Sequence, residues 1–201
     1  APKLADFITD PTPTLPILEQ LKNDDSLYVR KSVANHINDI SKDHPKLVLE
    51  LTKNWYGEKT HTNWIVKHAL RTLLKKGNKN ALAIFGLDDS KNMEITNLVL
   101  SKNEISIGDF LYFEFNVLNN SNLERNIRLE YKVAFVKANG TTSNKVFQLS
   151  EFTLAANNQK HFKRKQWFKE LSTRKHYPGE HKITVVINGD EKSEVSLSLT
   201  N

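Results

Sequence analysis

The stretch from Ser26 to Leu51 reads SLYVRKSVANHINDISKDHPKLVLEL, and the stretch from Asn63 to Gly77 reads NWIVKHALRTLLKKG. A shift of 36 residues places apolar positions of the first stretch on apolar positions of the second, and polar positions on polar ones. This spacing is typical of two-helix repeats and predicts stacked helical hairpins that present one polar face repeatedly. The superposed pairs are Val29 with Ile65, Val33 with Ala69, Ile37 with Leu73, Lys31 with Lys67, and Asn35 with Arg71.

The helical pattern extends over residues 1–87, where apolar positions recur three and four apart. Ser26 is expected to cap the long helix of the first copy, because a hydroxyl there can accept a bond from a free helical N–H. Pro45 suits the first turn of the next helix, where its missing N–H costs little. We expect Gly77 to end a helix that runs from about Thr62 to Lys76.

The period of the apolar pattern changes to two after the polar residues 88–92. Seven short strands separated by turn sequences favour an immunoglobulin-like sandwich. The predicted fold class is therefore an α-solenoid of helical hairpins in residues 1–90, followed by a seven-stranded immunoglobulin-like β-sandwich in residues 91–201. The predicted strands are residues 95–100, 110–118, 127–136, 145–149, 159–168, 181–187 and 193–199.

Composition narrows the class of protein and of partner. The chain has 201 residues, a formal net charge of +6 and no Cys, so disulfides and thiolate metal sites are excluded and a reducing compartment is favoured. The basic balance indicates an anionic partner such as nucleic acid. The sequence holds no apolar run long enough to cross a bilayer and no secretory segment, which predicts a cytoplasmic protein with no membrane partner.

Polar residues on the two helical copies form two rows. Residues three and four apart share one helix face, and a row of cations there suits a phosphate backbone because each cation releases a counterion. The solvated face of any amphipathic helix explains the same pattern, and both interpretations stay open. The rows are Lys31, Asn35, Asn38 and Lys42 in the first copy, and Lys67, Arg71 and Lys75 in the second, with Trp64 and His68 alongside.

Two residues beside these rows also have alternative roles. Trp64 is able to stack on a base or to pack at the junction between the copies, and packing is the commoner role for a single Trp. Arg30 is expected to brace the acidic turn at Asp24 and Asp25 and not to contact a ligand. Asp39 would need a poised partner or an enclosed pocket to act as an acid or base, and the sequence shows neither.

The stretch KHFKRKQWFKELSTRKH from Lys160 to His176 is the most basic part of the β half. If it begins as a strand, His161, Lys163, Lys165 and Trp167 share one face. Lysines on an edge strand guard against pairing with another chain, and the same lysines would suit a polyanion. Both interpretations stay open. No Walker, G-x-G-x-x-G or G-x-S-x-G pattern is present, and the histidines lack metal-ligand spacing.

Three stretches together resemble the DNA alkylation repair family of HEAT-like-repeat DNA glycosylases, in the branch with a C-terminal immunoglobulin-like domain. They are SLYVRKSVANHINDISKDHP from Ser26 to Pro45, NWIVKHALRTLLKKGN from Asn63 to Asn78, and LSTRKHYPGEHKITVVING from Leu171 to Gly189. The resemblance covers nearly the whole chain. It implies a solenoid of HEAT-like helical hairpins whose basic surface holds double-stranded DNA.

The resemblance also implies an activity, namely excision of N-alkylated purines such as 3-methyladenine in base excision repair, with no metal or diffusible cofactor and by a monomer. Family members carry further N-terminal repeats with the principal catalytic groups, so this chain is expected to be the DNA-binding C-terminal part, inactive alone, with its catalytic residues upstream of Ala1. The alternative is a non-enzymatic scaffold for an acidic protein or peptide. The implied DNA-contacting residues are Lys31, Asn35, Lys67, His68, Arg71, Lys75, Lys163, Arg174 and Lys175.

Overall fold

A computed structural model of the chain describes residues 4–87, 89–170 and 175–201. The chain forms two compact units, Ala1–Phe85 and Gly86–Asn201. The first unit is helical, with a 3-10 turn at Thr12–Thr14. None of the described helices has the length and apolar character needed to span a membrane. The helices are α1 Ala5–Thr9, α2 Leu15–Leu21, α3 Leu27–Asp43, α4 Pro45–Trp55, α5 Thr60–Ala69, α6 Arg71–Lys75 and α7 Lys79–Ala83.

The core of the helical unit forms where α3 packs on α4 and α5. Ile37, Val48 and Ile65 are buried there because the apolar positions of each helix fall on one stripe. The 36-residue offset is also present among the polar contacts: Trp55 Nε1 donates to Glu19 at 2.7 Å, and Lys22 Nζ lies 2.8 Å from Glu58. Positions that are 36 residues apart therefore contact each other in the folded unit.

The predicted α-solenoid is nevertheless wrong, because the described residues form no extended array of hairpins. Within residues 4–87, a long hairpin is made by α3 and α4 alone. The helix expected from Thr62 to Lys76 is interrupted at Leu70, where φ is −83° and ψ is 1°. Gly77 then ends α6 with a φ of 68°, and the amides of Gly77 and Asn78 donate to the Leu74 and Leu73 carbonyls. The only helix after it in this unit's described part is the five-residue α7.

The turn before α3 is held differently from the sequence prediction. Ser26 occupies the N-cap position, but its hydroxyl caps no helical N–H. Its own amide donates instead to the Asp24 carboxylate at 2.7 Å. Arg30 braces this turn as expected, although through the backbone: its Nη1 donates to the carbonyls of Asp24 and Asp25 at 2.8 and 2.9 Å. The side chain of Arg30 is thus committed to structure.

The second unit is a β-sandwich with two sheets around one apolar core. One sheet has the order β1-β3-β6 and the other the order β2-β8-β7-β4-β5. Alternate residues of each strand face the core, as the two-residue period predicts. The strands are β1 Met93–Leu100, β2 Glu104–Ser106, β3 Phe110–Asn119, β4 Arg125–Val136, β5 Thr142–Leu154, β6 Gln159–Trp167, β7 Gly179–Ile187 and β8 Asp190–Thr200.

The described residues form eight strands, so the predicted count of seven is also wrong. The missing strand is β2, which spans three residues and pairs in parallel with β8 at the sheet edge. It contains one buried apolar residue, Ile105, and a single residue has no period to recognise. The sequence prediction also shortened β5, whose residues are largely polar.

Candidate nucleic-acid interface

Four residues from α3, α5 and α6 interact at one surface of the helical unit: Lys31, Asn35, His68 and Arg71. Together with Lys67, which is exposed and precedes His68 on α5, we call them the helical cluster. The Oδ1 atom of Asn35 accepts a bond from Arg71 Nη2 at 3.0 Å and lies 3.2 Å from His68 Nε2. These bonds join the polar rows of the two copies, which the sequence placed only on separate helices.

The interruption at Leu70 creates this arrangement. The carbonyl of His68 accepts a bond from Arg71 Nη1 at 2.6 Å, and the amide of Thr72 donates to Asn38 Oδ1 at 3.4 Å. In a continuous helix the Thr72 amide would donate to the His68 carbonyl. Side chains have therefore replaced a backbone bond, and Arg71 is held by its own helix and by α3.

The same contacts correct the predicted row on α3. Asn38 is buried, with 3% of its surface exposed, because α6 begins against it. Its amide is consequently a structural cap and not a ligand contact. Lys42 pairs with Asp39 at 2.6 Å on the exposed side of the helix. Lys31 and Asn35 are the members of this row that both face solvent and adjoin the second copy.

The pKa of His68 is lowered, first by partial burial and then by the positive charges of Arg71 and Lys31. The imidazole is therefore mostly neutral near pH 7. Arg71 and Lys31 are close enough to His68 to affect its pKa. Three side chains that can carry a positive charge, each from a different helix, therefore lie around one site. An anion bound there would stabilise all three in their charged forms.

Trp64 is not buried at the junction between the two copies, and stacking on a base stays a prediction. Its ring is 38% exposed and stacks on His68, with ring centroids 5.2 Å apart and an interplanar angle of 10°. The indole is thus partly covered on one face by a residue of the helical cluster. It borders the cluster without being buried in a junction.

The other sequence-predicted contacts lie in several places. Lys75 is exposed at the end of α6, so it follows Arg71 by one helical turn. Lys163 is exposed on β6 and lies 3.5 Å from Glu114 of β3. Lys175 is exposed and precedes β7. Arg174 lies outside the described residues.

The outer surface of β3 and β6 holds a second concentration of cations, and we call Phe110, Tyr112, Lys165, Trp167 and Lys169 the ring face. Phe110 pairs in register with Trp167, and Tyr112 with Lys165. The Nζ atom of Lys165 lies 3.6 Å from the centroid of the Phe110 ring and 4.2 Å from that of Trp167. The three aromatic residues are between 37% and 44% exposed.

Sequence reasoning placed the β6 side chains correctly but missed their neighbours. His161, Lys163, Lys165 and Trp167 do share the outer face, and β6 is one of the two edge strands of its sheet. Phe110 and Tyr112 were not predicted to join them, because β3 and β6 are far apart in the sequence. The alternation of FLYFEF from Phe110 to Phe115 was a usable signal, since every second residue of a strand lies on the same face and Phe110 and Tyr112 therefore share one.

A depression of about 660 Å³ lies beside α3 in the helical unit. Asp39 contributes to its wall one helical turn beyond Asn35, together with His36 and His44. His44 Nε2 is 2.6 Å from the Ile8 carbonyl, which ties α1 to this wall. Within the described ranges no group of carboxylates and histidines is arranged to hold a metal ion.

The chain is similar to several known proteins. Residues 94–201 match the model of the family described as "Uncharacterised protein YhaZ, C-terminal Ig-like domain". The chain is 47% identical over 191 residues to the uncharacterised protein YhaZ of Bacillus subtilis, covering 95% of this chain and 53% of that protein. It is also 40% identical to the Pseudomonas fluorescens alkylpurine DNA glycosylase AlkC bound to DNA containing an abasic site analog, with a TM-score of 0.96.

The AlkC match covers 99% of this chain and 55% of the AlkC chain, so the present chain spans about half the length of both relatives. The family model covers more than half of the chain, from the second residue of β1 to the C-terminal residue. The chain therefore belongs to the family whose model is described as the C-terminal Ig-like domain of the uncharacterised protein YhaZ.

Proposed function

We propose that this chain is the DNA-binding part of an alkylpurine DNA glycosylase that removes N-alkylated purines such as 3-methyladenine. The observation that carries the proposal is the match to AlkC, at 40% identity and a TM-score of 0.96 over 99% of the chain. Identity of this level over nearly the whole chain favours a shared class of ligand. AlkC itself is bound to DNA containing an abasic site analog.

The helical cluster supports the proposal independently of the match. Lys31 on α3 and Lys67 on α5 are exposed, and Arg71 is held in a fixed direction by Asn35 and the His68 carbonyl. A guanidinium fixed in this way retains N–H groups for a phosphate, with little side-chain entropy left to lose. The Oδ1 atom of Asn35 is used internally, which leaves its Nδ2 hydrogens as donors to a backbone oxygen.

Lys75, Lys163 and Lys175 are further candidate contacts to the DNA backbone. All three are exposed ammonium groups, and each would act as a point charge that releases a counterion on binding. Phosphate contacts of this kind position a duplex and carry no sequence information. This property suits a protein that must find damage in any sequence.

Asp39 is a carboxylate beside the helical cluster that would stabilise a cationic sugar as the N-glycosidic bond breaks, in addition to the principal catalytic groups expected upstream of Ala1. It lies one turn beyond Asn35 and opens onto the depression beside α3. Its ion pair with Lys42 is exposed, so the carboxylate is accessible to a ligand. Asp39→Asn in the complete glycosylase should abolish most excision and keep duplex affinity within about twofold.

Binding to two duplexes of one sequence tests the proposal. One duplex contains an abasic-site analogue and the other is undamaged, and affinity is measured by fluorescence anisotropy with the 201-residue chain. We expect salt-dependent binding to both, and tighter binding to the damaged duplex. A chain that binds neither duplex but binds an acidic polypeptide at the same salt concentration would overturn the proposal in favour of a non-enzymatic scaffold.

A further inference from the structure

The ring face differs from the outer side of the five-stranded sheet in how its cations are held. On the five-stranded sheet three cations are paired with carboxylates: Arg128 with Glu130, Lys132 with Glu191, and Lys182 with Glu194. On the ring face, Lys165 and Lys169 form no ion pair with any described residue. Their ammonium groups lie over aromatic rings instead.

Protection of the sheet edge does not account for this surface. Lysines alone are sufficient to keep an edge strand from pairing with another chain. Phe110, Tyr112 and Trp167 add three exposed rings to the same edge region, and exposed rings increase the tendency to associate. Ligand binding explains this combination of exposed rings and cations better than edge protection does.

We propose that the ring face binds single-stranded DNA by stacking unpaired bases on Trp167 and Tyr112. Phe110 contacts both rings edge-on, with centroids 5.1 and 5.3 Å away, and so supports them in position. Lys165 and Lys169 lie over the Trp167 ring, 4.2 and 5.2 Å from its centre. A base that stacks on this ring displaces the two ammonium groups, which are then close enough to bind the adjacent phosphates. Exposed aromatic side chains interleaved with lysines are the general means by which proteins hold unpaired strands.

Single-stranded DNA fits this surface better than a duplex does. In a duplex the bases stack on one another, so their faces are not available to a ring on a protein surface. The rings of the ring face also stand on the strands of a sheet, which present a broad surface and not a narrow element that could enter a groove. The proposed site shares no residue with the helical cluster, and Lys163, a candidate duplex contact on the same outer face of β6, is not part of it. Loss of the preference for oligo(dT) and loss of duplex binding are therefore separate outcomes.

Two single strands of equal length and charge test the site. One is oligo(dT) of about 12 nucleotides and the other is the same deoxyribose-phosphate chain without bases. The 201-residue chain should bind oligo(dT) at least about tenfold more tightly than the abasic strand, since each stacked base adds roughly this factor. Trp167→Ala/Tyr112→Ala should remove this preference, whereas Tyr28→Ala, which deletes an exposed ring of the helical unit, should keep it.

A second readout protects the test against a variant that fails to fold. A 2-aminopurine placed in the strand should lose fluorescence on binding the unmodified protein, because stacking quenches it, and Lys165→Ala should weaken this response without changing the rings. Equal affinity of the unmodified protein for the two strands would overturn the proposal. Displacement of oligo(dT) by a proline-rich peptide, with no quenching of 2-aminopurine, would assign the ring face to a protein partner.

Discussion

The helical cluster and the ring face are both basic surfaces, but they hold their cations differently. Arg71 is fixed by hydrogen bonds to Asn35 and to the His68 carbonyl, whereas Lys165 rests over the rings of Phe110 and Trp167. A hydrogen-bonded guanidinium points in one direction and suits the regular phosphates of a duplex. A lysine over rings can move aside and leave an aromatic surface for a base. The two surfaces therefore suit different ligands despite their equal sign of charge.

The helical cluster and the ring face should differ most in how much their cations contribute to the free energy of unfolding. Arg71→Ala should lower the free energy of unfolding by about 2 kcal/mol, because it removes bonds from a charged group that join α6 to α3. Urea unfolding followed by the helical circular-dichroism signal measures this change. Lys75→Ala removes the same charge from an exposed position and should stay within about 0.5 kcal/mol. Equal losses of stability in both variants would mean that Arg71 does not brace the two helices.

The second prediction, with a smaller expected effect, is that protonation of His68 in the helical cluster makes duplex binding depend on pH. The pKa of His68 is lowered by burial and by Arg71 and Lys31, and phosphates beside these cations would raise it again. Binding would then take up a proton, so affinity should increase as the pH falls from about 7.5 to about 5.5, by at most about tenfold per pH unit. His68→Asn should flatten this dependence.

His161→Asn provides the matched control for that prediction. His161 lies on β6 and is hydrogen-bonded to Asn116, outside the helical cluster. The variant should keep the pH dependence of the unmodified protein. A dependence that disappears in the His161 variant and persists in the His68 variant would place the titrating group in the β unit.

The smallest effect belongs to the ring face. Lys165→Ala should reduce the free energy of unfolding by only about 0.5–1 kcal/mol, which is the usual contribution of a cation beside exposed rings. Thermal unfolding of the β unit measures it, with Lys102→Ala in an exposed loop as the control. A reduction as large as that of Arg71→Ala would show that Lys165 has a structural role and would weaken the contrast between the two surfaces.

Local sequence signals were sufficient for most elements of this fold. The stripe of α3, the start of α4 at Pro45 and the end of α6 at Gly77 are each determined by residues close by in the chain. The alternation of β6 likewise placed its outward residues correctly. Elements with several periodic residues and a capping or turn residue are the ones that a single sequence determines best.

The helical cluster and the ring face are each formed by contacts between residues that are distant in the sequence. The sequence alone did not reveal these contacts. The interruption at Leu70 depends on Arg71 and on Asn38, which belongs to another helix. The extended solenoid was wrong for a related reason, since two similar helical stretches do not determine how the neighbouring residues pack. The ring face required the pairing of β3 with β6, and register between distant strands has no local signal.

The most direct test of the central claim is the salt dependence of duplex binding after charge removal from the helical cluster. Lys31→Ala/Lys67→Ala should reduce the slope of log affinity against log salt concentration by about 1.8, or about 0.9 for each phosphate that is no longer neutralised. Lys46→Ala/Lys53→Ala removes two exposed charges from α4 and should leave the slope unchanged. An unchanged slope in the first variant, or an equal decrease in both, would contradict the assignment of the helical cluster to the duplex.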